Sequence, residues 1–248
     1  MKDSRLPLLA GWLPTDCRVC RRWNAGVLCR PCATRFCSTR QRCNRCGLGM
    51  DVSRADLSDQ REGTHATGPV CLSCLREPPA WRQAVCAEDY AFPWNDLIGD
   101  FKFRSDVGLA ALLAERIAAV LRHAPDGTEV DLLLPVPLST QRLQHRGFNP
   151  AWELARRLGD LLRIPAEPQV LQRPVDTPHQ AELSLQERAR NLQGAFMVDP
   201  QARSAVAGRR VALVDDVMTT GSTFREATRA LLQAGADSVD VWAVARTP

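Results

Sequence analysis

The segment Val211-Ala212-Leu213-Val214-Asp215-Asp216-Val217-Met218-Thr219-Thr220-Gly221-Ser222-Thr223 admits few folds. Four consecutive apolar residues with valine at each end predict a strand buried on both faces of a parallel sheet. Two adjacent carboxylates end the run, a Thr-Thr-Gly-Ser-Thr turn follows, and Phe224, Ala227, Leu231 and Leu232 then recur at helical spacing. The predicted order is strand, small-residue loop, helix. Such a turn aims free backbone N–H groups and the positive end of a helix dipole at one point, with hydroxyls beside them. That point suits a phosphate. Asp215 and Asp216, at the strand's C-terminal end, can accept hydrogen bonds from sugar hydroxyls or hold a divalent cation.

Together these halves describe a pocket for a phosphorylated sugar, and the segment resembles the phosphoribosyl-pyrophosphate loop of type I phosphoribosyltransferases. The resemblance implies that Asp215 and Asp216 hold the ribose hydroxyls, while Thr219, Thr220, Gly221, Ser222 and Thr223 wrap the 5′-phosphate. A P-loop ATPase also ends a buried strand in acids, but it needs a Gly-x-x-x-x-Gly-Lys-Ser/Thr loop upstream. The chain has only two lysines, Lys2 and Lys102, and neither sits in such a loop. A purely structural turn, with Ser222 or Thr223 capping the helix, explains one hydroxyl but not the acid pair.

At 248 residues the chain has room for one α/β domain and a small appendage. Its content of 45% hydrophobic and 24% charged residues is that of an ordinary globular protein. No apolar run approaches the roughly 18 residues a spanning helix needs. Leu6 to Leu13 is apolar behind Lys2 and Arg5, but it is short, interrupted by prolines and without a small-residue cleavage site. A cytoplasmic protein, not embedded in a membrane, is expected.

Nine of the ten cysteines precede residue 75. Eight of them form Cys-x-x-Cys pairs: Cys17/Cys20, Cys29/Cys32, Cys43/Cys46 and Cys71/Cys74. Each pair can wrap two thiolates around a tetrahedral metal, and two pairs complete a closed Cys₄ zinc site. The expectation is a double zinc ribbon holding two structural zinc ions. A disulfide framework would require secretion, which nothing indicates. Sequential and interleaved use of the pairs both fit the spacing. Cys37 and Cys86 fall outside the pairs and read as ordinary thiols. The polar insert from Asp51 to Gly68 lacks periodicity and reads as a loop.

Charge is unevenly placed. Residues 1–80 hold 13 basic and 7 acidic side chains, and eight arginines but no acid lie between Cys17 and Cys46. Arginine here has two readings, as an offset to thiolate charge or as a nucleic-acid contact surface.

Pro78-Pro79 marks the expected boundary between a ribbon domain, residues 1–80, and the main domain, residues 81–248. Beyond it, Val85 to Phe92 reads as an edge strand and Leu97 to Arg104 as a short helix carrying Phe101-Lys102-Phe103-Arg104. Leu109, Leu113, Ile117 and Val120 predict a core-facing helix. Val130 to Val136 predicts a strand, stopped by Pro135 and Pro137. The segment from Pro137 to Asn149 reads as a loop at the C-terminal end of that strand, where α/β sheets hold ligands. In it, Arg142 and Arg146 can grip a pyrophosphate bidentately, while His145 reads as a surface residue. Leu154, Ala155, Leu158, Leu161 and Leu162 predict an amphipathic helix. Gln169 to Gln172 and Phe196 to Val198 read as short strands, Asp176 to Arg190 as a polar lid, and Ser238 to Ala245 as the last strand.

The combination of four knuckles, Phe101-Lys102-Phe103-Arg104, Pro135-Val136-Pro137, Arg142, Arg146-Gly147-Phe148-Asn149, Gln180 to Asn191 and the phosphate loop resembles the competence protein F (ComF) family. One departure is Pro150, where members often carry Gln. The resemblance implies a type I phosphoribosyltransferase-like parallel sheet with flanking helices, preceded by a small Cys-rich zinc-ribbon domain. It also implies a role in DNA uptake, with internalised single-stranded DNA and the uptake machinery as partners. Mg²⁺-chelated phosphoribosyl pyrophosphate is the implied ligand, its diphosphate facing Lys102, Arg142 and Arg146. Two functions are compatible with these residues: a transferase acting on an unidentified acceptor, or a non-catalytic nucleic-acid-binding adaptor whose pocket senses or merely binds its ligand.

Overall fold

The computed structural model describes residues 15–37, 40–50, 68–123, 129–174 and 194–248. The expected insert after Asp51, except Gly68, and the expected lid within residues 176–191 lie outside them, as does the apolar stretch from Leu6 to Leu13. The chain divides into two compact units, one ending at Cys37 and one beginning at Ser38.

The first unit contains a two-residue antiparallel ribbon, β1 (Thr15–Asp16) with β2 (Trp23–Asn24), and helix α1 (Arg30–Phe36). Its small core is Cys17, Cys29 and Cys32 with Val19, Leu28 and Phe36 against them. An apolar core this small cannot hold a fold by burial alone, so cysteine chemistry must carry its stability.

The second unit opens with the short helix α2 (Leu72–Arg76) and is built on a four-stranded parallel sheet. Its strands are β3 (Ala84–Asp89), β4 (Leu132–Pro135), β7 (Arg210–Met218) and β8 (Ser238–Arg246), in the spatial order β3-β8-β7-β4. Helices α3 (Trp94–Phe103) and α4 (Leu109–Leu121) separate β3 from β4, and α5 (Thr140–Arg146) and α6 (Pro150–Leu162) follow β4. A two-stranded antiparallel ribbon, β5 (Leu171–Gln172) with β6 (Met197–Val198), precedes β7, and helix α7 (Ser222–Gln233) connects β7 to β8. This is the parallel α/β arrangement that the apolar strands predict.

β7 is paired on both sides, with Leu213 opposite Leu134 of β4 and Val241 of β8. Val211, Ala212, Leu213 and Val214 are fully buried, as a strand covered on both faces requires. The strand runs further than the apolar residues, through Asp215, Asp216 and Val217 to Met218, because β8 continues beside it to Arg246. Both acids therefore lie within the last turns of a held strand.

Helix α3 buries Trp94, Leu97, Ile98 and Phe101, one stripe at helical spacing, and leaves the next two residues, Lys102 and Phe103, off that stripe. Helix α4 buries Leu109, Leu113 and Ile117 as expected, while Val120 is only partly buried and Leu121 takes the covered position. In α6 the covered stripe is Ala151, Leu154, Ala155 and Leu158, whereas Leu161 is 42% exposed and outside the expected core.

The expected loop from Pro137 to Asn149 is instead largely helix. Thr140–Arg146 is a two-turn α5, closed by Gly147 in the left-handed region at φ 81°. Its one aliphatic residue, Leu143, is 43% exposed, so no buried stripe announces it in the sequence. Asn149 then caps α6, its side-chain oxygen accepting from the Ala151 N–H at 3.0 Å while its amide donates to the Val136 carbonyl at 3.1 Å. Pro150 takes the first helical position, where no N–H is needed.

The Cys43–Cys46 knuckle presses on β3. A Cβ at Gly47, whose φ is +68°, would lie 2.4 Å from Cys86 Sγ, and the Asn44 carbonyl accepts from the Ala84 N–H at 2.8 Å. Gly47→Ala is therefore expected to cost about 2 kcal/mol or more, combining left-handed strain with overpacking. Gly147→Ala has the same strain but open space around it, and about 1 kcal/mol is expected. Urea midpoints of the two variants check the order, and equal losses would contradict the close packing of the knuckle.

Candidate functional site

At the end of β7, Asp215 and Asp216 leave the strand in sequence, and successive strand side chains point to opposite faces. Asp216 is 4% exposed, and its carboxylate meets Lys102 Nζ of α3 at 2.7 Å. Asp215 accepts a hydrogen bond from the Asp216 backbone N–H at 2.8 Å. Burial first, and the Asp216 carboxylate second, push Asp215 up to about 8, against the pull of Lys102. Burial draws the Lys102 ammonium down, but Asp216 and Asp215 outweigh it and hold Lys102 above its usual value. Arg146 acts on Lys102 in the opposite sense, so the two cations share one neighbourhood. The Arg146 guanidinium stacks 5.2 Å from the centre of the Phe103 ring, and Phe101 meets Phe148 edge-on at 5.9 Å. These ring contacts bring α3 and the end of α5 together around the acids.

The loop after β7 is exposed at Thr219 and Thr220. Thr220 Oγ1 and Ser222 Oγ are hydrogen-bonded at 2.8 Å, and the Ser222 N–H reaches Thr220 Oγ1 at 3.3 Å. Gly221 sits at φ +77° over Trp81 and Met218, with its carbonyl accepting from the Arg225 N–H at 2.8 Å. Gly221 at the N-cap position of α7 has no side chain to cap it, and Thr220 takes up only the Ser222 N–H. The N–H groups of Thr223 and Phe224 have no acceptor within the helix, which leaves them for an anion. Hydroxyls, helix N-terminus and the acid pair thus lie within one strand–loop–helix turn, with Lys102 beside the acids and Arg146 in the neighbourhood of Lys102. Arg142 is half-buried on α5, one turn before Arg146.

The cysteines assemble as Cys17, Cys20, Cys29 and Cys32 in the first unit and Cys43, Cys46, Cys71 and Cys74 in the second, with the four Sγ atoms of each group within 4.8 Å of one another. Of the two pairings that the spacing permits, the sequential one is found. Zinc held by four thiolates at about 2.3 Å has sulfur–sulfur edges of about 3.8 Å. Cys20 Sγ and Cys29 Sγ lie 3.6 Å apart, and Cys46 Sγ and Cys71 Sγ 3.7 Å apart. The donor sets fit structural zinc.

The two clusters repeat one local design. In each, the residue after the first knuckle is left-handed, Arg21 at φ 61° and Gly47 at φ 68°. Its N–H closes back on the first cysteine's carbonyl, at 2.9 Å from Arg21 to Cys17 and 2.8 Å from Gly47 to Cys43. In each, the first cysteine of the second knuckle starts a short helix and donates its N–H to the opposite sulfur, Cys29 to Cys17 Sγ at 3.4 Å and Cys71 to Cys43 Sγ at 3.3 Å. Cys17 is brought down to about 6 because N–H groups of Cys20, Cys29 and Val19 prevail over burial, and Cys43 down to about 4 chiefly through the Cys46 thiol. Burial is the first cause pushing Cys32 and Cys74 up to about 12. A bound dication would stabilise the thiolate form of the ligating cysteines.

The arginines around the second cluster serve structure. Arg42 pairs with Asp89 at 2.8 Å and Arg40 with the same carboxylate at 3.4 Å, while Arg45 donates to the carbonyls of Arg82 at 2.7 Å and Trp81 at 3.3 Å. The partners seen here are a carboxylate and backbone carbonyls. Cys86 is buried beneath Gly47, and burial pushes its thiol up to about 12, as suits an unreactive packing residue.

Two residues at the site carry no sequence signal. Trp81 lies under Gly221, and Arg246 at the end of β8 reaches the Met218 and Cys46 carbonyls. Each is an isolated residue in its own segment, placed by tertiary packing.

A hydroxyl-rich turn after an acid pair, on a parallel sheet of this order, defines a phosphoribosyltransferase-type domain, and residues 143–248 match the model of the phosphoribosyl transferase domain. Over 244 residues the chain is 32% identical to the DNA utilization protein YhgH of Escherichia coli K12, covering 95% of this chain and 98% of that one. It is 35% identical to competence protein F of Haemophilus influenzae over 71% of this chain and 78% of that one, and 29% identical to competence protein ComFC of Bacillus subtilis over 72% and 71%. The chain belongs to the competence protein F (ComF) family. Among solved structures, the phosphoribosylpyrophosphate amidotransferase of B. subtilis is 21% identical over 55% of this chain and 25% of that one, with a TM-score of 0.34.

Two outcomes are expected from this geometry. Purified protein should carry about two zinc ions per chain by elemental analysis, the number two closed Cys₄ sites hold; one or none would remove a cluster. The second outcome follows from Asp215. Because its folded pKa is raised from 3.8 to about 8, the folded state holds a proton that the unfolded state has lost across that window. The resulting stability is full below the lower value and is lost as pH rises through the upper one, at no more than about 1.4 kcal/mol per pH unit. Asp215→Asn should therefore flatten the fall in stability between pH 5 and pH 9, read from urea midpoints. Parallel profiles for wild type and variant would refute the assignment.

Proposed function

We propose that the protein binds Mg²⁺-chelated phosphoribosyl pyrophosphate, with its 5′-phosphate in the turn formed by Thr219, Thr220, Gly221, Ser222 and Thr223 and its ribose hydroxyls on Asp215 and Asp216. The observation that carries this is the acid pair at the end of β7 leading directly into a helix N-terminus with glycine at its cap position and hydroxyls beside it. A phosphate satisfies the orphan N–H groups, and ribose hydroxyls are natural donors to carboxylates. Lys102, Arg142 and Arg146 face the diphosphate in this reading. Lys102 carries a compact ammonium on a flexible stem that can swing from Asp216 to a phosphate. Magnesium arrives with the diphosphate and belongs to the substrate.

The reaction this supports is displacement at ribose C1. The C1–O bond to the diphosphate breaks, the diphosphate leaves with the electron pair, and a nucleophile of the acceptor forms the new bond. Cations at the leaving group stabilise the charge that develops there. Residues 1–80 carry the metal in this division of labour, and residues 81–248 carry the ligand site. The named roles of the relatives, in competence and DNA utilization, support a place in cytoplasmic DNA uptake during natural transformation, with single-stranded DNA or the uptake machinery as partner. Among the described residues no helix is long and apolar enough to cross a membrane.

Calorimetry with magnesium and phosphoribosyl pyrophosphate is expected to give heat of binding in the wild type and none in Asp215→Ala/Asp216→Ala. Pyrophosphate release, measured with and without single-stranded DNA, then separates a transferase from a binding module. Turnover that depends on both acids supports the transferase, and binding without release supports the adaptor. Absence of binding overturns the proposal.

A further inference from the structure

The knuckle between Cys43 and Cys46 and the floor of the phosphate loop share two side chains. Arg246, the last residue of β8, donates from Nε to the Cys46 carbonyl at 3.0 Å and from Nη1 to the Met218 carbonyl at 3.4 Å. Met218 is the residue immediately before Thr219, and its carbonyl also accepts from the Thr247 N–H at 3.1 Å. The second side chain is Trp81, 2% exposed. Its indole N–H donates to the Arg45 carbonyl inside the knuckle, and its ring edge lies beneath Gly221, 3.1 Å from where a Cβ would stand. Met218 Cε lies 3.0 Å from the same point. The loop's glycine thus rests on a tryptophan and a methionine, and both are tied to the backbone between two metal-ligating cysteines or to its partner arginine. All these residues belong to one compact unit.

A knuckle of this kind has the geometry described above only while its four sulfurs are held together. If they separate, the Arg45 and Cys46 carbonyls are released, and with them the anchors of Trp81 and Arg246. The loop then loses the floor that fixes Gly221 at a left-handed φ, and its N–H groups no longer converge. We propose that the Cys43/Cys46/Cys71/Cys74 cluster and the phosphate loop are thermodynamically coupled, with Trp81 and Arg246 as the positioning residues that transmit the coupling. The inference rests on the preceding assignment of a phosphate to that loop.

Linkage makes the coupling reciprocal, so ligand must tighten metal by the factor by which metal tightens ligand. The test uses the full zinc-loaded chain. Zinc partitioning against a competing chelator is measured with and without saturating phosphoribosyl pyrophosphate and magnesium, and ligand affinity is measured by calorimetry. In the wild type, one of the two zinc equivalents should resist the chelator about tenfold better when ligand is present, within the usual range of site–site coupling. In Trp81→Phe and Arg246→Gln, ligand should bind about tenfold more weakly at full zinc content, the protection should vanish, and Arg246→Lys should restore part of it. A merely structural role would lower stability without removing ligand-dependent zinc protection. Wild-type zinc partitioning that ignores bound ligand overturns the coupling, whatever the variants do. Protection that persists undiminished in both variants overturns the route through Trp81 and Arg246. A wild type that binds no ligand overturns the phosphate assignment and this inference with it.

Discussion

Everything at the site depends on β7 being gripped from both sides. A strand in the interior of a parallel sheet cannot slide by one residue without turning its buried side chains outward. Val211 to Val214 are buried without remainder, so the position of Asp215 and Asp216 is settled by the packing of the residues before them. The cost of placing two carboxylates side by side is met locally. Lys102 pairs with one, and the pKa of the other is pushed up to about 8 by burial and by its neighbour. A site that is poised in this way exchanges charge readily when an anion and a cation arrive together.

Much of this was legible in the sequence, for a physical reason. β7 and α7 announce themselves because a buried strand needs a continuous apolar run and a half-buried helix needs a periodic one. The knuckles announce themselves because two thiolates on one metal need a fixed short spacing. Helix α5 was not legible, since Leu143 is its only aliphatic residue and a helix that buries no stripe leaves no period. The sequential pairing of the knuckles was equally hidden, because both pairings satisfy the same local spacing and only the path of the chain between them chooses. Trp81 and Arg246 act through contacts with residues far away in sequence, which no local pattern encodes.

The arginines illustrate how one composition supports different physics. Read as a run of charge, they suggest a surface for phosphates. In the second unit Arg40, Arg42, Arg45 and Arg246 donate to Asp89 and to backbone carbonyls of the knuckle and sheet. Arginine suits this work because its planar fork satisfies several acceptors at once where a loop must be fastened to a strand. In this unit, arginine near the cysteines satisfies carbonyls that irregular backbone leaves open.

The hydrogen bond from the Ala84 N–H to the Asn44 carbonyl has a consequence for the life of the molecule outside its ligand chemistry. β3 lies at the margin of the sheet, and a bare margin is a template on which another chain can add a strand. The cysteine knuckle occupies that margin as a fender, with Gly47 seated on Cys86. Chelation would then do more than loosen one corner of the protein: it would uncover an adhesive rim, and metal-starved molecules would be drawn to one another and lost from solution.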